Sequence, residues 1–96
     1  MTVNKIAVVG AGQMGRGIAQ VFATAGKSVI IYDISQAIVD ASKAALEKGF
    51  AKQISRGKMT QEDADTILGH ITFSADTDYQ GAEDVDIVVE AAPDGA

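Results

Sequence analysis

The chain of 96 residues contains no cysteine and a single histidine, His70. Disulfide bonds and thiolate metal sites are therefore excluded, and one histidine gives no cluster that would bind zinc. His70 has no serine or acidic partner close by in sequence, so we expect a structural role for it. No apolar run approaches the roughly 20 residues of a membrane span, and the N-terminus does not resemble a signal peptide. We expect a cytoplasmic protein with neither a metal site nor a membrane partner.

Basic side chains are few, 8 against 13 acidic ones, which gives a net charge of −5. Nucleic-acid binding depends on clustered Lys and Arg, so a nucleic-acid partner is not expected. Aromatic residues make up only 5% of a chain that is 47% hydrophobic. Small and β-branched side chains must then form the core, as they do in parallel sheets covered by closely packed helices. The length allows one domain and excludes a two-domain enzyme.

Short apolar runs alternate with segments of helical periodicity along the chain. The predicted elements are a strand over 3–9, a helix over 13–25, a strand over 28–32, a helix over 36–54, a short helix after Thr60, and strands over 71–74 and 85–92. Strands joined by helix-sized connections pair in parallel through right-handed crossovers. The sequence therefore predicts an α/β fold: a four-stranded, mostly parallel sheet in the order 3-2-1-4, with helices on both faces and an inserted helical hairpin.

The first predicted helix carries apolar residues at helical spacing. They are Met14, Ile18, Val21, Phe22 and Ala25. This spacing predicts the face that the helix buries. Gly26 stands where a glycine commonly ends a helix, while Ser35 and Thr60 are suited to begin the second and third helices as N-caps.

A glycine-rich segment joins the first strand to the first helix. The segment Gly10-Ala11-Gly12-Gln13-Met14-Gly15 follows the G-x-G-x-x-G pattern, and Asp33 stands 18 positions after Gly15, at the end of the second strand. In this context the first glycine permits a tight turn, the second lets the backbone approach a diphosphate, and the third lets the helix lie against the sheet. Unpaired N–H groups and the helix dipole bind such an anion without a basic side chain. The pattern predicts half of a Rossmann dinucleotide-binding domain.

Asp33 indicates which dinucleotide is bound. A carboxylate accepts hydrogen bonds from the adenosine ribose hydroxyls and repels a 2′-phosphate, and Ile34 and Ser35 provide no arginine to reverse this preference. NAD is therefore favoured over NADP. The alternative is that 10–15 is only a strand-to-helix turn and that Asp33 caps the next helix. The strand, glycines, helix and acidic residue occur together in the expected order, and this favours the ligand site.

Four segments resemble the 3-hydroxyacyl-CoA dehydrogenases, a family that includes bacterial 3-hydroxybutyryl-CoA dehydrogenases. They are GAGQMGRGIAQ at 10–20, VIIYDI at 29–34, GKMT at 57–60 and VDIVVEAA at 85–92. The related 3-hydroxyisobutyrate-type dehydrogenases usually have an Asn-Arg-like pair where this chain has Asp33-Ile34, and they lack the inserted hairpin. The resemblance implies the NAD-binding part of an enzyme that interconverts 3-hydroxyacyl-CoA and 3-ketoacyl-CoA by hydride exchange.

The resemblance also implies roles for individual residues. Gln13 and Met14 would contact NAD beside the glycines, and Ala91 and Ala92 would line its nicotinamide half. Lys52 falls where the family places a lysine near the nucleotide part of CoA. The family's catalytic His–Glu pair, its substrate-contacting Ser and Asn, and its helical dimerisation domain lie beyond these segments. We therefore expect 1–96 to be the N-terminal half of the NAD-binding domain, to lack the catalytic half and to be inactive by itself.

A non-catalytic half-Rossmann module that binds a nucleotide and associates with itself is the alternative function. In the complete fold the fourth strand has a further neighbour and a covering helix. Without them an apolar edge strand and an uncovered patch are expected. We therefore predict a homodimer or higher oligomer formed through the edge or the uncovered face of the fourth strand.

Overall fold

A computed structural model of the chain describes residues 4–75 and 83–91. The elements of this part are β1 (Lys5–Val9), α1 (Gln13–Thr24), β2 (Ser28–Tyr32), α2 (Gln36–Ser55), α3 (Gln61–Gly69), β3 (Ile71–Ser74) and β4 (Ile87–Glu90). All strand pairs are parallel, and the sheet has the order β3-β2-β1-β4. The predicted α/β fold and its strand order are confirmed.

The bounds of the predicted elements agree closely, except for β4. This strand has four residues instead of the predicted eight, because its partner β1 begins at Lys5 and ends at Val9. Beyond Val9 the chain turns at Gly10, where φ is 110°, and β4 loses the strand that it would pair with. In the described part of the chain, the pairing ends with the Ala91 N–H, which donates to the carbonyl oxygen of Val9 at 2.7 Å; Ala92, the end of the predicted strand, lies outside it.

One face of the sheet carries the main core. Ile6 and Val8 of β1 and Val29 and Ile31 of β2 are at most 1% exposed and form one apolar cluster with buried residues from all three helices. The parallel register places these four side chains on the same face. The three described helices therefore pack together on one side of the sheet.

Val85, just before β4, covers part of the opposite face of the sheet. Val85 packs there against Ala7, Ile30 and Tyr32. The sequence predicted helices on both faces, but the three described helices all lie on the other face; residues 76–82 and 92–96 lie outside the described part of the chain.

The apolar spacing of helix α1 predicts its buried face only in part: Ile18 and Phe22 are partly buried and pack against the core. Met14 and Val21 are 66% and 69% exposed, and Ala25 is exposed as well, so the prediction of these three as buried residues was wrong. The buried residues are instead Gly15, Ala19 and Ala23. Small residues at intervals of four let the helix axis approach β1 and β2 closely.

The predicted caps of the other helices are confirmed. The Ser35 side-chain oxygen accepts the Ile38 N–H at 3.3 Å and begins α2, and the Thr60 oxygen accepts the Asp63 N–H at 3.0 Å and begins α3. Gly26 follows α1 with φ at 85°, a backbone angle that favours glycine. None of the helices in this part of the chain has the length and apolar character that crossing a membrane requires.

Asp86 joins the start of β4 to the start of β1. Its Oδ2 accepts the N–H groups of Asn4 at 2.8 Å and Lys5 at 3.1 Å, and the neighbouring Asp84 forms an ion pair with the Lys5 ammonium at 2.6 Å. The hydrogen bonds from Asn4 and Lys5 stabilise the ionised carboxylate, and they hold the pKa of Asp86 below its ordinary value of 3.8. Asp86 thus fixes the register of β4.

Replacing Asp86 is expected to change how stability depends on pH. A carboxyl group with a lowered pKa in the folded chain stabilises fully above its ordinary pKa, and this contribution is lost as the pH falls through the lowered pKa. We expect Asp86→Asn to lower the free energy of unfolding at neutral pH and to flatten its decline in acid. Denaturant titrations at neutral and acidic pH measure both effects, with the exposed helical Asp40→Asn as the control. An acid decline equal to that of the unmodified chain would contradict this role.

Candidate functional site

The glycine loop lies at the carboxyl edge of the sheet, between β1 and β2. Gly10 turns the chain out of β1, and its N–H donates to the Tyr32 carbonyl oxygen at 2.7 Å. The Asp33 N–H donates to the Ser74 carbonyl oxygen at 3.1 Å, which aligns the end of β3 with the same edge. Open parallel sheets bind their ligands at this edge.

Gly12 and Gly15 of the loop require the absence of a side chain for different reasons. A Cβ on Gly15 would overlap the carbonyl oxygen of Gly10 and lie 3.3 Å from Cγ1 of Val8, so packing inside the protein requires this glycine. A Cβ on Gly12 would meet no atom within 4 Å, and its φ of −73° and ψ of −167° suit any residue. Packing therefore explains Gly15, while the close approach of a ligand would explain Gly12.

Four consecutive N–H groups at the start of α1 are available to an anion. The helical hydrogen bonds of α1 begin at Arg16, whose N–H donates to the Gly12 carbonyl oxygen at 2.9 Å. For the N–H groups of Gly12 to Gly15, no residue of the described part serves as an acceptor. The first turn also contains no acidic residue. These groups and the positive end of the helix dipole suit a diphosphate.

Asp33 faces this loop from the end of β2. Its Oδ2 accepts the Ala11 N–H at 3.0 Å, and its Oδ1 accepts the Ser35 N–H at 3.1 Å. The sequence predicted Asp33 as a ribose acceptor but gave no sign of the contact with Ala11. The alternative of Asp33 as the cap of α2 is not what the structure shows, because the side chain of Ser35 caps that helix.

Two isoleucines that follow Asp33 in the chain are exposed, and the sequence did not indicate this. Ile34 is 81% exposed and Ile38 is 45% exposed. Exposed apolar side chains next to converging polar groups are typical of ligand pockets. The available signal was the position of Ile34, an apolar residue that directly follows β2 and lies outside every predicted core segment.

The other predicted cofactor contacts lie at the same edge. Gln13 and Met14 are exposed in the first turn of α1. Ala91 is 6% exposed and is hydrogen-bonded to Val9, directly before the glycine loop. Ala92 lies outside the described residues.

Lys52 and His70 lie away from this edge. Lys52 is exposed in the last turn of α2, about 24 Å along the helix axis from its start. His70 follows α3 and precedes β3, so it lies at the amino edge of the sheet, on the other side from the glycine loop. This placement agrees with the structural role expected for His70. Within residues 4–75 and 83–91, no group of three or more His, Asp and Glu side chains could hold a metal ion.

Comparisons with known proteins relate the chain to one family. Residues 5–96 match the family model described as 3-hydroxyacyl-CoA dehydrogenase, NAD binding domain. A probable 3-hydroxybutyryl-CoA dehydrogenase of Deinococcus radiodurans is 46% identical over 87 residues, which cover 91% of this chain and 30% of that protein. The 3-hydroxybutyryl-CoA dehydrogenase of Mycobacterium tuberculosis H37Rv is 38% identical over 89 residues, which cover 93% and 30%. The chain thus spans less than a third of these two relatives.

Solved structures show the same relationship. The crystal structure of the (S)-3-hydroxybutyryl-CoA dehydrogenase of Ralstonia eutropha superposes with a TM-score of 0.90 at 35% identity, and covers 99% of this chain and 33% of that one. The 3-hydroxybutyryl-CoA dehydrogenase of Escherichia coli K12 gives a TM-score of 0.89 at 32% identity, over 98% of this chain and 20% of that one. Both sequence and backbone are therefore similar over nearly the whole chain.

Proposed function

Because the chain belongs to the 3-hydroxyacyl-CoA dehydrogenase family, whose NAD binding domain it matches, we propose that it is the NAD-binding part of an oxidoreductase that interconverts 3-hydroxyacyl-CoA and 3-ketoacyl-CoA. Its cofactor is NAD, which supplies the hydride chemistry when bound. The observation that carries the proposal is the set of four N–H groups without an acceptor in the described chain, directly beside the Asp33 carboxylate. The names of the relatives support the substrate class.

In this proposal each part of the site has one task. The N–H groups of Gly12 to Gly15 hold the diphosphate, and the missing side chain of Gly12 lets it approach. A carboxylate offers about four acceptor positions; Asp33 uses two for N–H groups and retains two for ribose hydroxyls. Gln13 and Met14 contact the cofactor beside the loop, and Ala91, with Ala92, lines its nicotinamide half.

The proposal assigns no catalytic residue to the described chain. The histidine lies at the wrong edge of the sheet, and the exposed Glu90, at the end of β4, has no described partner that would make it a general base. Proton transfer is assigned to the family's His–Glu pair, which matches no described position. Lys52 is assigned to the nucleotide part of CoA, in agreement with its distance from the proposed NAD site.

NAD is expected to bind at least about tenfold more tightly than NADP. The extra phosphate of NADP would lie near the negative charge of Asp33, and like charges at such distances weaken binding by more than the roughly 1.4 kcal/mol that a factor of ten requires. Calorimetric titration of the unmodified chain with both dinucleotides measures the ratio. Equal affinity for the two, or no affinity for either, would contradict the proposed site.

We also propose that the chain associates with itself through β4. This strand pairs with β1 on one side, and within the described residues nothing pairs with its other side. Val88 is 62% exposed and Ile87 is 37% exposed on it. An exposed apolar edge strand is a template for pairing with another chain.

A charge on β4 is expected to prevent this association. Val88→Lys places an ammonium group on the strand, and natural edge strands use lysine in this way to block pairing. Sedimentation at several concentrations should show a dimer or larger oligomer for the unmodified chain and a monomer for the variant. Val21→Lys is the matched control, because Val21 is similarly exposed, at 69%, but lies on α1. A monomer at every concentration of the unmodified chain would refute the proposal.

A further inference from the structure

The Asp33 carboxylate holds the glycine loop from the neighbouring strand. The hydrogen bond from the Ala11 N–H to its Oδ2 measures 3.0 Å and joins positions 22 residues apart. Ala11 is only 1% exposed, so water competes weakly for this N–H group. Hydrogen bonds to a charged acceptor are stronger than those between neutral groups. The contact is therefore suited to fix the path of the loop.

The N–H of Ala11 is the last one of the loop that has an acceptor within the described part of the chain. The N–H of Gly10 is bonded to Tyr32 and that of Ala11 to Asp33. Directly after them come the four N–H groups, from Gly12 to Gly15, that have no acceptor in the described part of the chain. The direction of these four groups follows from the path of the two residues before them. Groups that bind an anion together must point at one place before it arrives.

We propose that Asp33 is a positioning residue for the diphosphate loop, in addition to the ribose contact assigned to it above. This proposal rests on the proposed NAD site. Each oxygen of the carboxylate accepts one N–H group, Oδ2 from Ala11 and Oδ1 from Ser35, and the remaining acceptor positions meet the ribose. The consequence is that losing Asp33 weakens even those ligands that carry a diphosphate but no ribose hydroxyls.

The binding of two different nucleotides distinguishes the positioning role of Asp33 from its ribose contact. ADP carries both ribose hydroxyls, whereas 2′,3′-dideoxyadenosine 5′-diphosphate carries neither. If Asp33 contacted the ribose only, Asp33→Asn would remove a negative charge near the diphosphate, and the dideoxy compound would bind as tightly as before or more tightly. If Asp33 positions the loop, the same substitution weakens binding of the dideoxy compound. The two hypotheses therefore predict effects of different sign.

We expect Asp33→Asn to raise the Kd of the dideoxy compound about tenfold, because an amide has one acceptor oxygen and retains at most one of the two N–H bonds. Calorimetry on the full chain measures this change. Asp40→Asn removes the same charge from an exposed side chain of α2 and should leave the Kd unchanged. A dideoxy Kd that stays the same or falls in Asp33→Asn would overturn the positioning role.

Hydrogen exchange tests the same role without a ligand. In Asp33→Asn the amide of Ala11 should exchange faster, while the amide of Val29, bonded to the His70 carbonyl oxygen, should not change. Asp33→Glu provides a second variant if the first fails to fold, because it retains the charge but displaces the carboxylate by one methylene. Unchanged exchange at Ala11 in the folded variant would overturn the proposal. If neither nucleotide bound the unmodified chain, the NAD site itself would be wrong, and the exchange at Ala11 would still decide the positioning role.

Discussion

Gly15→Ala is expected to lower the free energy of unfolding by about 3 kcal/mol or more, and to abolish NAD binding. The added methyl group would overlap the carbonyl oxygen of Gly10, and a backbone atom cannot move aside as a flexible side chain does. Overpacking at a close contact costs about 1–3 kcal/mol and sometimes more. A chain of this size is stabilised by roughly 5–15 kcal/mol in total, so the loss is large.

The overlap is severe because both partners are held in place. Gly10 is tied to β2 by its hydrogen bond to Tyr32, and α1 is seated on the sheet through the buried Ala19 and Ala23. The helix can make room only by moving away from β1, which exposes part of the core. The same movement displaces the N–H groups at its start, and these are the groups proposed to hold the diphosphate.

Gly17→Ala is the matched control for Gly15→Ala, since it makes the same change two residues later in the same helix. A Cβ on Gly17 meets no atom within 4 Å. Alanine favours the helix over glycine by up to about 1 kcal/mol, so this variant is expected to be more stable than the unmodified chain. Denaturant unfolding followed by circular dichroism compares the two. Similar unfolding midpoints for both variants would contradict the close contact.

The sequence allowed the fold to be predicted because local patterns determine it. The runs at 28–32 and 71–74 are short, apolar and rich in β-branched residues, and both form strands with these bounds. The buried face of α1 was predicted only in part, for a physical reason. Periodicity weighs large apolar residues, whereas the closest approach of a helix to a sheet selects small ones such as Ala19 and Ala23.

The candidate site was predictable only where its chemistry depends on local sequence. The glycine loop and Asp33 follow a spacing that the βαβ unit itself imposes. The bond between Asp33 and Ala11 depends on a rotamer at the end of one strand and on the path of a loop 22 residues away, and no local pattern records that. The separation of Lys52 from the loop, by contrast, follows from the predicted helix over 36–54, which the structure has as one continuous helix of 20 residues.

Gly12 and Gly15, at the start of α1, show that a sequence motif does not distinguish a packing residue from a ligand-binding one. Gly12 and Gly15 have the same letter in the same pattern, but packing requires only Gly15. If Gly12 is small because a diphosphate lies against it, a side chain there should affect binding and leave folding intact. A side chain at Gly15 should affect both binding and folding. The pair therefore distinguishes a ligand site from a structural turn.

Gly12→Ser is expected to lower the affinity for NAD at least about 100-fold while the free energy of unfolding stays equal or rises by a few tenths of a kcal/mol. Serine is at least as good an N-cap as glycine, and Gly12 already has an extended backbone that serine adopts readily. Its hydroxyl oxygen would accept one of the N–H groups of the first turn, and its side chain would occupy the place proposed for the diphosphate. Stability and affinity are thus expected to change in opposite directions.

Calorimetric titration with NAD and denaturant unfolding of the same Gly12→Ser protein measure the two effects. Gly49→Ser is the matched control, because a Cβ at Gly49 is equally unobstructed but lies on the exposed side of α2. It should bind NAD as the unmodified chain does. If Gly12→Ser retained full affinity, the diphosphate could not lie against Gly12, and the N–H groups of α1 would have to serve another purpose. If it lost affinity and stability together, Gly12 would be a packing residue like Gly15, and the argument from its open surroundings would fail.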